Sequence, residues 1–316
     1  MFGSPALIDR VGRYGVEHDV HLPSLRRVIS AGAPVGARVI ERFTSIVAPG
    51  VEIFTPYGAT EALPVASIGS STILNETRYQ TDRGAGVCVG MPIEGIDVRI
   101  IAITDEPIPE WDDGVILPPG TIGEIVVQGP IVTQAYFNRP HADSVAKIHD
   151  SQPGRFWHRM GDVGFLDDRG RLWFCGRKSQ RVVTPGGTLF TIPSEAVFNT
   201  HPDVARSALV GVHREEVTYP VVCIQLDPSR PRRPFAQIVT ELAALAQQHR
   251  HTRSIRTFLR HPGFPVDIRH NAKIFREKLA VWAVRRLTRH WQPGPVAKSV
   301  DLPPVASVSQ EAEARA

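Results

Sequence analysis

The chain has 316 residues, 42% of them hydrophobic and 22% charged, with a net charge of +4. This is the composition of a folded protein long enough for two cores, and so small a charge excess argues against a nucleic-acid partner. Three scattered cysteines, Cys88, Cys175 and Cys223, fit neither a disulfide framework nor a zinc-ligand spacing and read as buried apolar fillers.

The opening MFGSPALIDRVGRYG has no basic segment followed by an apolar run, and no apolar stretch reaches the roughly 18 residues of a membrane span. A cytoplasmic protein with no transmembrane segment is expected. Residues 26–29 predict a short strand ending in Ser30-Ala31-Gly32-Ala33-Pro34. Val39, Ile40, Phe43, Ile46 and Val47 then recur at helical spacing. Residues 51–54 predict the next strand, running into a Tyr57-Gly58 turn. Strand, helix, strand is the pattern of a parallel α/β layer, whose ligands bind at the strand C-termini.

From Gly84 the texture changes to short strands separated by Gly and Pro, including 97–103, 122–127 and 171–175. Asp167-Asp168-Arg169-Gly170 reads as a hairpin turn in which Gly supplies a positive φ. Gly84, Gly86 and Gly90 do not spell a dinucleotide fingerprint and read as turn residues. After Lys178 a smaller unit is expected, with a helix opening at Pro193, strands at 207–212 and 221–226, and a helix at 235–248. In that helix Phe235, Ile238, Val239, Leu242, Leu245 and Ala246 share one face. A loop at 263–272 precedes a last helix with Ile274, Leu279, Val281, Trp282 and Leu287 among its apolar positions. The expected organisation is a first domain at 1–178, a second at 179–291 and a disordered tail at 292–316.

Adenine needs a flat apolar partner, a ribose needs an acceptor for its hydroxyls, and phosphates need donors or a magnesium ion. TPYGATE at 55–61 and MGDVGFLDDRGRLWFCGRK at 160–178 offer these in order. Tyr57 can stack on a base beside Gly32-Ala33-Pro34, Asp162 can accept from a ribose, Thr60 can donate to a phosphate, and Glu61 can hold Mg²⁺. Each alone has a blander reading: a packed turn aromatic for Tyr57, a solvated carboxylate for Glu61, a turn former for Asp162. Lys273 with Arg269, Arg276 and Lys278 could be a generic basic patch. The run His249, Arg250, His251, Arg253, Arg256 and Arg260 reads as a solvated face, and His201, His213 and His270 lack partners at ligand spacing in the sequence.

Together these strings resemble the adenylate-forming superfamily of acyl-CoA synthetases, peptide-synthetase adenylation domains and luciferases. Gly32-Ala33-Pro34 and Tyr57-Gly58-Ala59-Thr60-Glu61 resemble its adenine and phosphate motifs. Gly123-Glu124-Ile125 with Gly129 and Tyr136 resembles its Gly-Glu core motif. The resemblance implies ribose binding by Asp162 and Arg177, a hinge at Ser179, catalytic roles for Thr60 and Glu61, and an adenylation lysine at Lys273. It implies an α/β fold: a partial large domain of parallel α/β layer plus β-rich subdomain, followed by a small α+β domain. ATP and Mg²⁺ are the implied cofactors.

Within the superfamily, TPYGATEALPVASI, TDRGAGVCVG and FPVDIRHNAKIFREKLAVWA are most similar to the β-lactone synthetases of bacterial long-chain olefin biosynthesis. That similarity implies a 2-alkyl-3-hydroxy fatty acid activated as acyl-AMP and closed to a β-lactone. It also implies a place among a thiolase-like condensing enzyme, a reductase and a decarboxylase. A long-chain fatty acid-CoA ligase, which would add coenzyme A, and a non-catalytic nucleotide-binding remnant are the alternatives. The superfamily's Ser/Thr/Gly-rich phosphate loop followed by Pro-Lys-Gly does not occur in the sequence. Gly69-Ser70-Ser71-Thr72 has no following lysine. The chain is therefore expected to be the C-terminal part of a longer enzyme, with its own activity in doubt. Met160 and Ala135 stand where the superfamily usually has Thr and Gly.

Overall fold

The computed structural model describes residues 1–267, 273–287 and 291–293. Of the expected tail at 292–316, residues 294–316 lie outside the described residues, as do Arg269, His270, Asn271 and Ala272. The described residues divide into two compact units, Met1–Thr77 with Val87–Lys178, and Arg78–Gly86 with those from Ser179 onward. Residues 78–86 thus depart from the expected first domain, because helix Arg78–Asp82 packs on helix Thr191–Asn199 of the second unit.

Ten strands of the first unit form one mixed sheet. They are β1 (Phe2–Gly3), β2 (Val28–Ser30), β3 (Ile53–Ala59), β4 (Ala62–Gly69), β5 (Val87–Pro92), β6 (Asp97–Ile101), β7 (Gly123–Gln128), β8 (Lys147–His149), β9 (Phe156–Leu166) and β10 (Leu172–Arg177). Their order is β1-β2-β3-β4-β5-β10-β9-β7-β6, with β8 also on β9. Pairing is parallel for β1, β2 and β3. The β-rich stretch continues the same sheet, because β5 pairs antiparallel with both β4 and β10.

Helix Pro5–Glu17 opens on Ser4, whose hydroxyl accepts from Leu7 N, with Pro at the first turn where a missing N–H costs nothing. With helix Ala37–Thr44 it buries Ile8, Ile40 and Phe43 against Val28 and Ile53 of the parallel strands. The β9–β10 turn forms as its sequence predicts: Asp167 Oδ1 accepts from the Arg169 and Arg171 amides, and Gly170 has φ 76°. Gly90 is not a turn residue. It lies within β5 at φ 93°, and a Cβ there would stand 2.0 Å from the Ser67 carbonyl oxygen on β4.

In the second unit β11 (Val182–Thr184) and β12 (Gly187–Leu189) pair as a hairpin. β13 (Val204–Arg214), β14 (Val217–Leu226) and β15 (Thr257–Arg260) form a three-stranded sheet. Alternation along β13 and β14 makes both faces apolar. Leu209, Val222 and Ile224 meet Phe198 of helix Thr191–Asn199 and Ile238 and Leu242 of helix Phe235–Gln248. On the other face Val210, Val221 and Cys223 meet Leu279 and Ala283 of helix Arg276–Arg286. Two expected members of this last helical face behave otherwise: Ile274 pairs with Val266 ahead of the helix, and Val281 is exposed. All three cysteines are free and buried.

Candidate functional site

Tyr57 lies inside β3 rather than in a turn after it, since the strand runs on to Ala59 and the two-residue turn is Thr60-Glu61. Gly58 is required there: a Cβ would meet the Ala62 carbonyl oxygen at 2.4 Å. From this strand the Tyr57 hydroxyl donates to Asp162 Oδ2 at 2.7 Å, across 105 residues of sequence. Its ring lies 5.7 Å from that of Phe174 on β10.

Asp162 reaches this contact through local irregularity. Register slips where β9 passes β7, between Glu124 and Val126, and Gly161 in that slip has φ 65°. A second slip on β10 between Phe174 and Gly176 brings Arg177 directly opposite Asp162. Bulges of this kind re-aim side chains near binding sites. Arg177 Nη1 stands 3.0 Å from Asp162 Oδ1 as an ion pair without hydrogen-bond alignment, so that buried oxygen keeps an unused acceptor position. Burial pushes the Asp162 carboxyl up to about 6, with Arg177 and the Tyr57 hydroxyl pulling the other way. Burial, and then Asp162, raise the Tyr57 hydroxyl well above its ordinary range.

A second cluster surrounds the turn at the end of β3. The Tyr136 hydroxyl donates to Glu61 Oε1 at 2.9 Å, and the Thr133 amide donates to the Glu61 carbonyl at 2.8 Å. Lys147 is buried, donates to the Thr133 carbonyl, and lies over the rings of Tyr136 and Phe156. Burial alone would raise the Glu61 carboxyl. The Tyr136 hydrogen bond, with His158 and Lys147 behind it, more than offsets this and leaves the group below its ordinary value. Burial and Lys147 push His158 down to about 4, so it is neutral near pH 7. One Glu61 oxygen held by Tyr136 and one left over suits Mg²⁺, which takes one or two carboxylates and completes its shell with phosphate and water. Thr60 is exposed at the tip of the same turn.

The structure thus brings Tyr57, Asp162 and Arg177 into direct contact and sets Thr60 and Glu61 on the adjoining turn. Gly32 (φ 99°), Ala33 and Pro34 follow β2, one strand away from β3. Ser179 and Lys273 belong to the second unit, and Lys273 is exposed. Ser70 and Ser71 of the serine-rich segment bind the Glu52 carboxylate instead of forming a loop.

Several partners escaped the sequence reading. Glu124, already singled out within Gly123-Glu124-Ile125, is fully buried, and the cations it takes were not foreseen: Arg159 Nη2 at 2.7 Å and Lys178 Nζ at 3.1 Å. Arg159 had a signal, being two residues ahead of Gly161. Arg276 is no member of a surface basic patch: its side chain is 12% exposed and pairs with Glu195. His251 leaves the expected solvated face, lying against the Pro193 carbonyl, and burial pushes it down to about 4. His201 does gain partners, Asp203 and Glu241, but Arg233 already bridges both carboxylates, and the His201 Nδ1 accepts from the Asp203 amide.

Residues 1–137 match the family described as AMP-binding enzyme. The fold is shared with an amide bond synthetase from Marinactinospora thermotolerans, at TM-score 0.70 and 22% identity over 89% of this chain and 52% of that one. It is shared too with o-succinylbenzoate coenzyme A synthetase from Bacillus subtilis in complex with ATP and magnesium ion, at TM-score 0.64 and 22% identity, covering 88% and 50%. The family match over residues 1–137 and the relatives in sequence support a place for the chain among the adenylate-forming enzymes.

Among its relatives in sequence are olefin beta-lactone synthetases. That of Xanthomonas campestris pv. campestris is 49% identical over 90% of this chain, and that of Stenotrophomonas maltophilia 48% identical over 92%. The chain spans about half the length of these two relatives, 51% and 52%. Among the described residues, no helix is long and apolar enough to cross a membrane.

Proposed function

We propose that this chain serves an ATP-dependent ligase that activates a 2-alkyl-3-hydroxy fatty acid as acyl-AMP and closes it to a β-lactone. The observation that carries the reading is the Tyr57–Asp162–Arg177 constellation, in a chain 48–49% identical to two olefin beta-lactone synthetases. A buried carboxylate oxygen with an unused acceptor position is what a ribose hydroxyl requires, and its burial is costly unless a ligand exploits it.

In the first step a carboxylate oxygen of the acid attacks the α-phosphorus of ATP, the bond to the β,γ-diphosphate breaks, and pyrophosphate leaves. Asp162 and Arg177 hold the ribose, Tyr57 covers the base beside Gly32-Ala33-Pro34, and Thr60 donates to phosphate. Mg²⁺ held by Glu61 would neutralise charge on the triphosphate. Lys273 supplies positive charge to the carboxylate and phosphate oxygens as their charge builds up, and Ser179 is the hinge of the unit that carries it. In the second step the substrate's 3-hydroxyl oxygen bonds to the acyl carbon, the carbon–oxygen bond to AMP breaks, and the hydroxyl proton passes to solvent. Holding hydroxyl and activated carbonyl together is worth roughly 7–11 kcal/mol in well-oriented cases, which helps against the strain of a four-membered ring.

Coenzyme A distinguishes this reading from a fatty acid-CoA ligase; more distant relatives, at 30% and 32% identity, are a 2-succinylbenzoate–CoA ligase and an indoleacetate–CoA ligase by name. A polypeptide of the relatives' full length containing this chain is incubated with ATP, Mg²⁺ and a 3-hydroxy acid. Lactone and AMP formation independent of coenzyme A supports the proposal; strict dependence on coenzyme A replaces it with the ligase. Nucleotide binding without pyrophosphate exchange replaces it with a binding remnant.

A further inference from the structure

Arg276 opens helix Arg276–Arg286, where a positive side chain meets the positive end of the helix dipole and gains nothing from it. Its guanidinium turns inward instead. Nη2 donates to Glu195 Oε2 at 2.9 Å, Nη1 to Glu195 Oε1, and Nε to Gln180 Oε1 at 3.1 Å. Glu195, on helix Thr191–Asn199, is 5% exposed, and its Oε1 also accepts from the Leu209 amide at 2.8 Å. The carboxylate is therefore fully engaged in a forked, charge-assisted pair that lysine could not reproduce.

Three residues before Arg276 stands Lys273. The Asp267 amide donates to the Lys273 carbonyl at 2.9 Å, the Phe275 amide donates to the Pro265 carbonyl at 2.9 Å, and Val266 bridges Ile274. Two short arms thus meet, one following buried Phe264 and the other running from Lys273 to Arg276. Burial raises the Glu195 carboxyl while Arg276 opposes it, which marks a pair placed at a desolvation cost. An apolar pair of the same volume would often be equally stable, so stability alone does not explain these residues.

We propose that Glu195 and Arg276 are positioning residues for Lys273. Their pair fixes the backbone of 273–276 to the core of the second unit, so that the lysine amine is presented from a rigid stem. The inference deepens the proposed function and rests on it for the role of Lys273, but the anchoring itself is measurable without catalysis.

The test is native-state hydrogen exchange on the chain carrying Glu195→Gln, which keeps shape and an acceptor for Leu209 but removes the charge. The Asp267 and Phe275 amides are expected to exchange about tenfold faster, while the Val210 and Val222 amides of the sheet change less than about twofold. Unchanged exchange at Asp267 and Phe275 overturns the proposal. Equal acceleration of all four does so too, since it shows a merely structural role.

A double-mutant cycle in the full-length polypeptide supplies the catalytic readout. Glu195→Gln is expected to lower acyl-AMP formation about tenfold when Lys273 is present and to have no further effect beside Lys273→Ala. Additive losses overturn the positioning role. If Lys273→Ala alone leaves adenylation intact, the function assigned to Lys273 fails, and the exchange measurement still decides the anchoring.

Discussion

Asp162 is the residue whose chemistry is hardest to explain by folding alone. Its carboxyl lies near pKa 6 in the folded chain against an ordinary value near 3.8. A raised carboxyl pKa gives stability that is present below the unfolded value and lost as pH rises through the folded one. Asp162→Asn is therefore expected to gain on the parent between pH 4 and pH 7, by on the order of 1–3 kcal/mol in urea unfolding. An equal gap at both pH values would contradict this. Such a gain at neutral pH is the usual mark of a site kept for binding at the expense of stability. Tyr136 makes a second residue-scale case. Tyr136→Phe removes the hydrogen bond that holds Glu61 Oε1, so the Glu61 carboxyl should rise and divalent cation binding weaken about 2- to 10-fold. Mn²⁺ titration in the presence of ATP, followed by magnetic resonance, reads this directly, and an unchanged affinity would reject the clamp.

At the scale of elements, legibility followed the range of the interactions involved. Helix Phe235–Gln248 was plain because Ile238, Leu242 and Ala246 repeat at helical spacing, and burial follows that repeat. The Asp167–Gly170 turn was plain because its hydrogen bonds close within four residues. Strand β3 was read too short because Pro56 and Gly58 are poor strand formers, and β4, with Pro64, was not read at all. Backbone pairing between the two overrides propensity. Gly90 shows the same limit: its sequence neighbours suggest a turn, while its reason is the Ser67 carbonyl on β4. Gly90→Ala should cost about 2–4 kcal/mol. Gly50→Ala, with a positive φ but open space, should cost only about 1 kcal/mol. Urea unfolding of the two variants checks the contrast, and equal costs would refute the close-approach explanation.

For the molecule as a whole, the sequence displayed the strings at 55–61 and 160–178 but not the contacts between them. Tyr57 and Asp162 were legible as residue types at a telling spacing; the hydroxyl-to-carboxylate contact across 105 residues was not. Glu195 and Arg276, 81 residues apart, carried no local signal. Helix Phe235–Gln248 and strands β13 and β14 follow from their own periodicities, but the grouping of residues 78–86 with them depends on packing that no sequence window displays.

The most direct measurement of the account is a calorimetric titration of the chain with AMP, repeated with Asp162→Ala. One AMP per chain is expected, with affinity falling at least about tenfold in the variant because a buried acceptor for the ribose is lost. AMP binding that is indifferent to Asp162→Ala, or no AMP binding by the chain, would contradict the claim that Tyr57, Asp162 and Arg177 surround one adenosine phosphate.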